Sequence, residues 1–419
     1  MPKFTGINDQ SSSVSEYVNP GFINALDYGV VADGTTSVTS AIQAIVTSNR
    51  TIFFPRGTYL FTSEVVINSV SDLRLLGEAG TTFLYAGNPA VYNPYSLISV
   101  KGTIQNLKVE SIRFEVNAID STELPTGLLN FDSHAGGLTL NRLTVKDCEF
   151  SALNTNVNAI SILLVPASSV TDFRFLENRI NGIGRMGIEF VNHNNDSIVR
   201  YSNIRVENND IADTGRALTW GCGLSFSGPG QDIIVTCNHF KDLNRDHAVE
   251  LVHTTNCIVS NNVMNGLGKP FNGIASGYPT GGQVTNLVVS GNVMNIKERS
   301  STVPAHGFSL GYAKDVIIVG NQIKTGGYSE LIGCIGTRLS QNIIESKDHF
   351  GLWLRSGTTK TRSRFNTISN QDSALNYGTI MCQNLGTTDN KFQDTVYSSD
   401  GNNLFTEYDN ASGNSFVID

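Results

Sequence analysis

The chain repeats one short pattern along most of its length: a β-branched run, an asparagine, one variable residue and an apolar residue. Successive asparagines are separated by 21 to 31 residues, a length typical of one coil in a parallel β-helix. An asparagine at a bend can adopt the left-handed conformation and stack its amide on the asparagine of the next coil. We therefore predict stacked coils with an asparagine ladder at one corner, marked by Asn178, Asn209, Asn238, Asn262, Asn292, Asn321, Asn342, Asn366, Asn390 and Asn414.

Two weaker copies extend the series toward the N-terminus. Cys148 stands in the asparagine place, and a fainter copy spans Ile112–Phe114. Leucine-rich repeats have similar periods but need fixed leucine positions that this chain lacks. The composition agrees with an all-β, turn-rich fold, since the 419 residues include 40 Gly and only 16% are charged.

Charge and cysteine usage exclude several classes of function. A net charge of −8 gives no basic surface for nucleic acid. No run of eighteen apolar residues exists, and Met1–Ser13 lacks the apolar stretch of a secretory signal, so we predict neither membrane insertion nor a signal peptide. The six cysteines are scattered without a CxxC pair, which favours buried free thiols over a metal site. We expect no cofactor.

The first part of the chain follows a different pattern, carried by Asn24–Thr36, Thr39–Ile45 and Phe53–Leu60. Asp33 and Gly34 predict a turn, and the hydroxyls that follow predict the N-cap of a short helix near Thr36–Thr47. A helix there would cover the open end of the first coil.

This pattern, over Asn24–Asn68, resembles the start of the pectate-lyase-like superfamily. The resemblance implies a single-stranded right-handed parallel β-helix over residues 23–419, with regular coils from about residue 100, after a lead-in of residues 1–22. Within the superfamily the chain looks most similar to bacteriophage tailspike depolymerases, because a polar, Ser-rich segment, Asn8–Ser15, precedes the pattern. Tailspikes are trimers of the phage virion, so a homotrimer in that location is expected. The regular spacing up to Asn414 also leaves the edge of the last coil exposed in a monomer.

The strands that follow the markers align by their alternation of apolar and polar residues. Side chains alternate along a strand, so the second and fourth positions point into the core and the third points outward. The third positions are mostly small residues with two carboxylates, and they form a predicted outward column of Glu189, Ser225, Glu250, Ala275 and Ser309. Small residues between longer side chains can form the floor of a glycan-binding groove. Trp353 falls in the same column farther along the axis, where a packing or subunit contact is expected.

Titratable groups are densest around Glu250. Asp246, His247, Glu250 and His253 lie within eight residues, and they are the catalytic candidates together with Glu189. We expect Arg185 and Ser225 to bind substrate, with Trp220 and Tyr278 as platforms for sugar rings. His193 also falls near the column. The alternatives are ordinary solvated carboxylates, surface histidines in turns, and a zinc site from His247 and His253.

Known site patterns of the superfamily are missing. The chain has no Asn-Thr-Asp, Asp-Asp or Gly-His-Gly, which polygalacturonases carry, and no Arg-x-Pro-x-x-Arg, which pectate lyases carry. We therefore expect a depolymerase that hydrolyses a bacterial surface polysaccharide with Glu189 and Glu250. A polysaccharide lyase or epimerase that uses His and Arg, and a glycan-binding fibre or adhesin without activity, remain the alternatives.

Overall fold

A computed structural model describes residues 21–86, 96–116, 127–132, 137–152, 156–192, 197–216, 221–267, 272–277, 282–297, 305–347, 349–371, 379–384, 386–398, 404–408 and 411–418. In this part of the chain successive coils contribute strands to three sheets, and all strand pairs are parallel. The predicted right-handed parallel β-helix is confirmed. In the described residues the parallel strand pairing begins at Phe22, in β1, and ends at Ile418, in β37.

Sheet one carries the predicted outward column. Its strands are β5 Val65–Asn68, β8 Ile98–Glu110, β10 Gly127–Asp132, β13 Asn158–Leu164, β16 Ile188–Asn192, β19 Leu224–Thr236, β21 His247–Ser260, β23 Asn272–Ser276, β26 His306–Gly311, β29 Ser329–Ile332, β32 Leu352–Arg355, β34 Ile380–Gln383 and β36 Phe405–Tyr408. Strands β8, β19 and β21 bend at a corner, and their second halves belong to sheet two.

Sheet two contains the second halves of those strands together with β1 Phe22–Asn24, β3 Arg50–Phe54, β6 Ser71–Gly77, β11 Leu138–Lys146, β14 Ser169–Leu176, β17 Tyr201–Glu207, β24 Thr285–Ser290, β27 Lys314–Val319, β30 Arg338–Ser340, β33 Arg362–Asn370, β35 Lys391–Ser398 and β37 Ser415–Ile418. Strands β33 and β35 continue into sheet three.

Sheet three closes each coil. Its other strands are β2 Asp33–Ser37, β4 Gly57–Phe61, β7 Thr81–Tyr85, β9 Arg113–Val116, β12 Glu149–Ala152, β15 Arg179–Ile183, β18 Asp210–Thr214, β20 His239–Lys241, β22 Val263–Leu267, β25 Val293–Lys297, β28 Gln322–Thr325 and β31 Ile343–Ser346. The inward side chains of the three sheets fill one continuous core.

A short helix, α1, lies at the N-terminal end of the coils, after a single 3₁₀ turn at Ala25–Tyr28. The helix spans Thr39–Ile45, within the predicted segment, and buries Ile42 and Ile45 against the core. The predicted cap is wrong, because the capping residue Val38 makes no side-chain hydrogen bond. Residues 33–37 form strand β2 instead of the first turn of a helix.

The asparagine ladder lies at the corner between sheets two and three. Asn292 is fully buried, and its Oδ1 accepts hydrogen bonds from both the backbone N and the Nδ2 of Asn262 at 3.0 Å. Its own Nδ2 donates to the carbonyl of Val259 at 2.8 Å and to Oδ1 of Asn321 at 2.9 Å. The marker itself does not adopt the left-handed conformation, contrary to the prediction. The residue before it does, for example Gly291 with φ of 63°.

The C-terminal end of the ladder differs from the predicted series. Asn366 donates its backbone N–H and its Nδ2 to Asp394, not to Asn390. Asn390 instead accepts from the backbone N of Thr361 at 2.9 Å and continues to Asn414. These last two markers therefore form a second ladder one corner away, because the pairing of β33 with β35 shifts register between Arg364 and Thr367.

Five of the six cysteines are buried free thiols, as predicted. Cys148 also takes the predicted ladder position, since its backbone N donates to Oδ1 of Asn178 at 2.9 Å. Cys237 is exposed, so its predicted burial is wrong. Among the residues that the structure describes, no helix is long and apolar enough to span a membrane.

Candidate functional site

The register of sheet one places the two candidate glutamates in a single row. Glu189 pairs with Ser225, and Ser225 pairs with Glu250. The row continues through Ala275 to Ser309. Because neighbouring strands are about 4.8 Å apart, the backbones of Glu189 and Glu250 are separated by roughly 10 Å.

Glu189 is held by a network that sequence reasoning did not anticipate. Its side chain is only 7% exposed and forms an ion pair with the guanidinium of Arg185. Asn158, on the preceding coil, donates from Nδ2 to Oε2 of Glu189 at 2.7 Å. The alternative of a solvated Glu189 is therefore wrong. A buried carboxylate with a charged partner and an amide donor is fixed in orientation.

Glu250 has a different set of partners. The hydroxyl of Ser225 donates to Oε2 at 2.6 Å, and Nε2 of His247 lies 4.0 Å from Oε1. The amide nitrogen of Asn272 lies 3.1 Å from Nδ1 of His247. If that amide donates, a neutral His247 carries its proton on Nε2, the atom that faces Glu250.

The thiol of Cys222 also lies beside Glu250, with its Sγ 4.0 Å from Oε2. Burial, and next the negative charge of Glu250, raise the pKa of Cys222 well above its ordinary value of 9.0. A neutral thiol is a poor nucleophile. We therefore assign no chemical role to Cys222 and treat it as part of the wall around Glu250.

The other two catalytic candidates, Asp246 and His253, make different contacts. Asp246 lies in a bend with φ of 39°, and its carboxylate accepts the backbone N–H of Gly221 at 2.8 Å. This contact anchors the chain at Gly221. His253 lies at the next corner, with φ of 57°, and lines a separate groove with Gly230 and Thr285. The structure therefore brings together Glu189, Arg185, Ser225, Glu250 and His247 along one row, but not His253.

Three residues that the sequence places near the column cannot be located. His193, Trp220 and Tyr278 lie outside the described residues. Within the described part of the chain, no three His, Cys, Asp or Glu side chains approach one another as metal ligands.

The structure adds a third glutamate to the row. Ser309 pairs with Glu330, and Glu330 pairs with Trp353. Glu330 is buried, accepts from the hydroxyl of Ser309 at 2.6 Å, and bonds to Nε of Arg355 at 3.1 Å. The signal in the sequence was the alternation in Ser329–Ile332. This strand lies within the shortest marker interval, Asn321 to Asn342, and has Tyr328 where the other coils have glycine or alanine.

Comparison with solved structures agrees with this architecture. The surface adhesin PfbA of Streptococcus pneumoniae is 15% identical, with a TM-score of 0.54 over 94% of this chain and 93% of that one. The A-module of the mannuronan C-5 epimerase AlgE6 of Azotobacter vinelandii is 14% identical, with a TM-score of 0.54 over 94% and 97%. The Dettilon tailspike protein is 11% identical, with a TM-score of 0.52 over 90% and 68%. Such low identities show the shared fold alone.

Sequence comparison establishes the family. None of the curated protein sequences compared with the chain is detectably similar to it. A sequence profile of the rhamnogalacturonase A/epimerase, pectate lyase-like family, however, matches residues 22–238, just over half of the chain. The matched region includes the N-terminal signature, the first coils, and both Glu189 and Ser225 of the candidate row. The chain belongs to the rhamnogalacturonase A/epimerase, pectate lyase-like family.

Proposed function

We propose that the chain is a polysaccharide depolymerase of the tailspike type that hydrolyses a bacterial surface glycan, a capsule or an O-antigen, bound along sheet one. The observation that carries this proposal is the placement of two carboxylates in one row with a small residue between them. Glu189 and Glu250 are two strands apart, with the small side chain of Ser225 between them.

The separation of the two carboxylates favours an inverting reaction. Inverting glycosidases hold their carboxyl groups about 6.5–9.5 Å apart so that a water fits beside the sugar. Side chains that converge from backbones roughly 10 Å apart reach this range, whereas a retaining pair needs about 5–5.5 Å. A water above Ser225 would then attack the anomeric carbon as the glycosidic bond breaks.

The different partners of the two glutamates support different roles. Glu189 lies against the guanidinium of Arg185, and we assign it as the general base that takes a proton from water. Glu250 accepts the hydroxyl of Ser225, and Nε2 of His247 lies 4.0 Å from its Oε1. We assign Glu250 as the general acid that protonates the leaving oxygen.

The proposal includes assembly and location. The tailspike likeness supports a homotrimer within a phage virion. Outer positions of sheets two and three provide exposed aliphatic side chains that a partner chain could cover: Ile258, Val263, Val293, Ile317 and Ile343. Burying such side chains stabilises association through the hydrophobic effect.

Two other functions have specific support. His247 beside Glu250, with Arg185 in the same groove, would also suit a lyase or epimerase, in which a proton is removed from a sugar carbon. The likeness to the PfbA adhesin supports a binding protein without activity.

One assay separates the three functions. Purified protein is incubated with capsule and lipopolysaccharide preparations, and both reducing ends and ultraviolet absorbance of unsaturated uronates are followed. The proposal predicts new reducing ends without unsaturated products. Unsaturated products would establish a lyase, and binding without either signal would establish an adhesin.

A further inference from the structure

A group of aromatic rings lies outside the core at the far end of the row. Tyr328 is at its centre, with ring centroids 4.3 Å from His306 and 5.1 Å from Trp353. His349 and Phe350 complete the group, at 5.7 and 6.2 Å from Tyr328. Trp353 occupies the row itself, directly after Glu330. An aromatic group on the outer face of a sheet is a common feature of ligand sites.

The tryptophan ring is held in one orientation. The guanidinium carbon of Arg355 lies 4.4 Å above the centroid of Trp353, within the range of a cation–π contact. Arg355 is fixed in turn by Glu330, to which both Nε and Nη2 lie at 3.1 Å. The charges of Arg355 and Glu330 balance, so the site presents a fixed ring without net charge.

Packing alone does not explain this group. Two ring nitrogens, Nε1 of Trp353 and Nδ1 of His306, are shielded from solvent and have no hydrogen-bond partner among the residues that the structure describes. Leaving such buried groups unpaired is unfavourable. Burial lowers the pKa of His306, so its imidazole is neutral near pH 7. A small shift of either ring toward a bound hydroxyl, which both donates and accepts, would satisfy these nitrogens.

We propose that Trp353, with Tyr328 and His306, forms a subsite for an uncharged sugar ring of the same glycan chain. The apolar face of the sugar packs on the aromatic surface, and its hydroxyls bond to the ring nitrogens. Four strand steps separate Glu250 from Trp353, so the subsite lies roughly 19 Å from the proposed general acid. Between Glu250 and the subsite, the row carries the small side chains of Ala275 and Ser309, which leave room for a glycan chain. This inference rests on the proposed function, because it assumes a glycan along the row.

The test is a binding measurement in a background that does not turn over. The Glu250→Gln chain is titrated with capsule, lipopolysaccharide, alginate and dextran preparations, and the polysaccharide that binds is kept as the probe. Adding Trp353→Leu should weaken its binding about tenfold or more, as expected for loss of a buried aromatic anchor. Tyr397→Leu is the matched control, because Tyr397 is an aromatic residue that is 57% exposed on sheet three. It should leave binding unchanged.

A second variant, Trp353→Phe, keeps the test possible if Trp353→Leu does not fold. Trp353→Phe keeps a ring but removes the N–H donor, and it should weaken binding about fivefold, the equivalent of about 1 kcal/mol. Unaltered binding in a folded Trp353 variant, or equal losses in Tyr397→Leu, would overturn the subsite and leave the depolymerase proposal standing. Binding without cleavage by the native chain would overturn the depolymerase and leave the subsite. A native chain that binds none of the preparations would overturn both.

Discussion

Replacing one asparagine of the ladder tests how the stack of coils is held together. Asn292 is fully buried and its side chain takes part in four hydrogen bonds, two to Asn262, one to Val259 and one to Asn321. Each contributes about 1 kcal/mol net, and the groups left unpaired add to the loss. We expect Asn292→Ala to lower the free energy of unfolding by about 3–5 kcal/mol. For a chain of 419 residues, an unfolding entropy of about 2.1 cal/mol/K per residue converts this to a fall of about 3–6 °C in Tm.

The measurement is thermal unfolding followed by circular dichroism, with a control three residues away. Asn295 lies on the exposed side of β25, so Asn295→Ala should change Tm by less than about 1 °C. A Tm within 1 °C of the native value for Asn292→Ala, or an equal loss in the control, would refute the ladder as a major source of stability.

Three further predictions concern thiols, pH and assembly. At pH 8 a thiol reagent should label only the exposed Cys237 of the folded chain, because burial raises the pKa of thiols such as Cys334 to about 12. After unfolding it should label all six cysteines, and rapid labelling of more than one in the folded chain would contradict the burial. The backbone N–H groups of Thr36 and Thr35 lower the pKa of Asp33 from 3.8 to about 2. The stability that these hydrogen bonds add to the folded chain is therefore present above pH 3.8 and is lost as the pH falls toward 2. Asp33→Asn should therefore make Tm less sensitive to pH in that window, and an unchanged acid profile would argue against the contact. Light scattering should give about 136 kDa, three chains of 45.3 kDa, and Val293→Asp should shift the mass toward one chain; a native mass of 45.3 kDa would defeat the trimer.

Much of the fold was predictable because it depends on local patterns that repeat. Alternation along each strand fixes which side chains face the core, so the row of Glu189, Ser225 and Glu250 followed from alignment alone. Amides that stack from coil to coil impose asparagine at one position. The predicted ladder is wrong only after Asn366, where a register shift places Asp394 next in the ladder instead of Asn390. A regular interval of 24 residues concealed that shift.

The site was less predictable because it depends on contacts between coils. Glu189 bonds to Asn158 of the preceding coil, a contact that is set by the stacking and not by sequence spacing. His253 is close to Glu250 in sequence, but a corner of the coil directs it to another groove. Glu330 was missed because its strand follows Tyr328, whereas the aligned strands begin at a glycine or at Ala248.

The central claim, that the row on sheet one is a hydrolytic site, is tested most directly by measuring reducing-end release by amide variants. Glu189→Gln and Glu250→Gln should each lower turnover by about two orders of magnitude or more while leaving Tm and glycan binding near native values. Glu345→Gln is the control, since Glu345 is 39% exposed and pairs with Lys324 on sheet three. Full activity in either Glu189→Gln or Glu250→Gln would contradict the account and move the search to His247 and the loops around it.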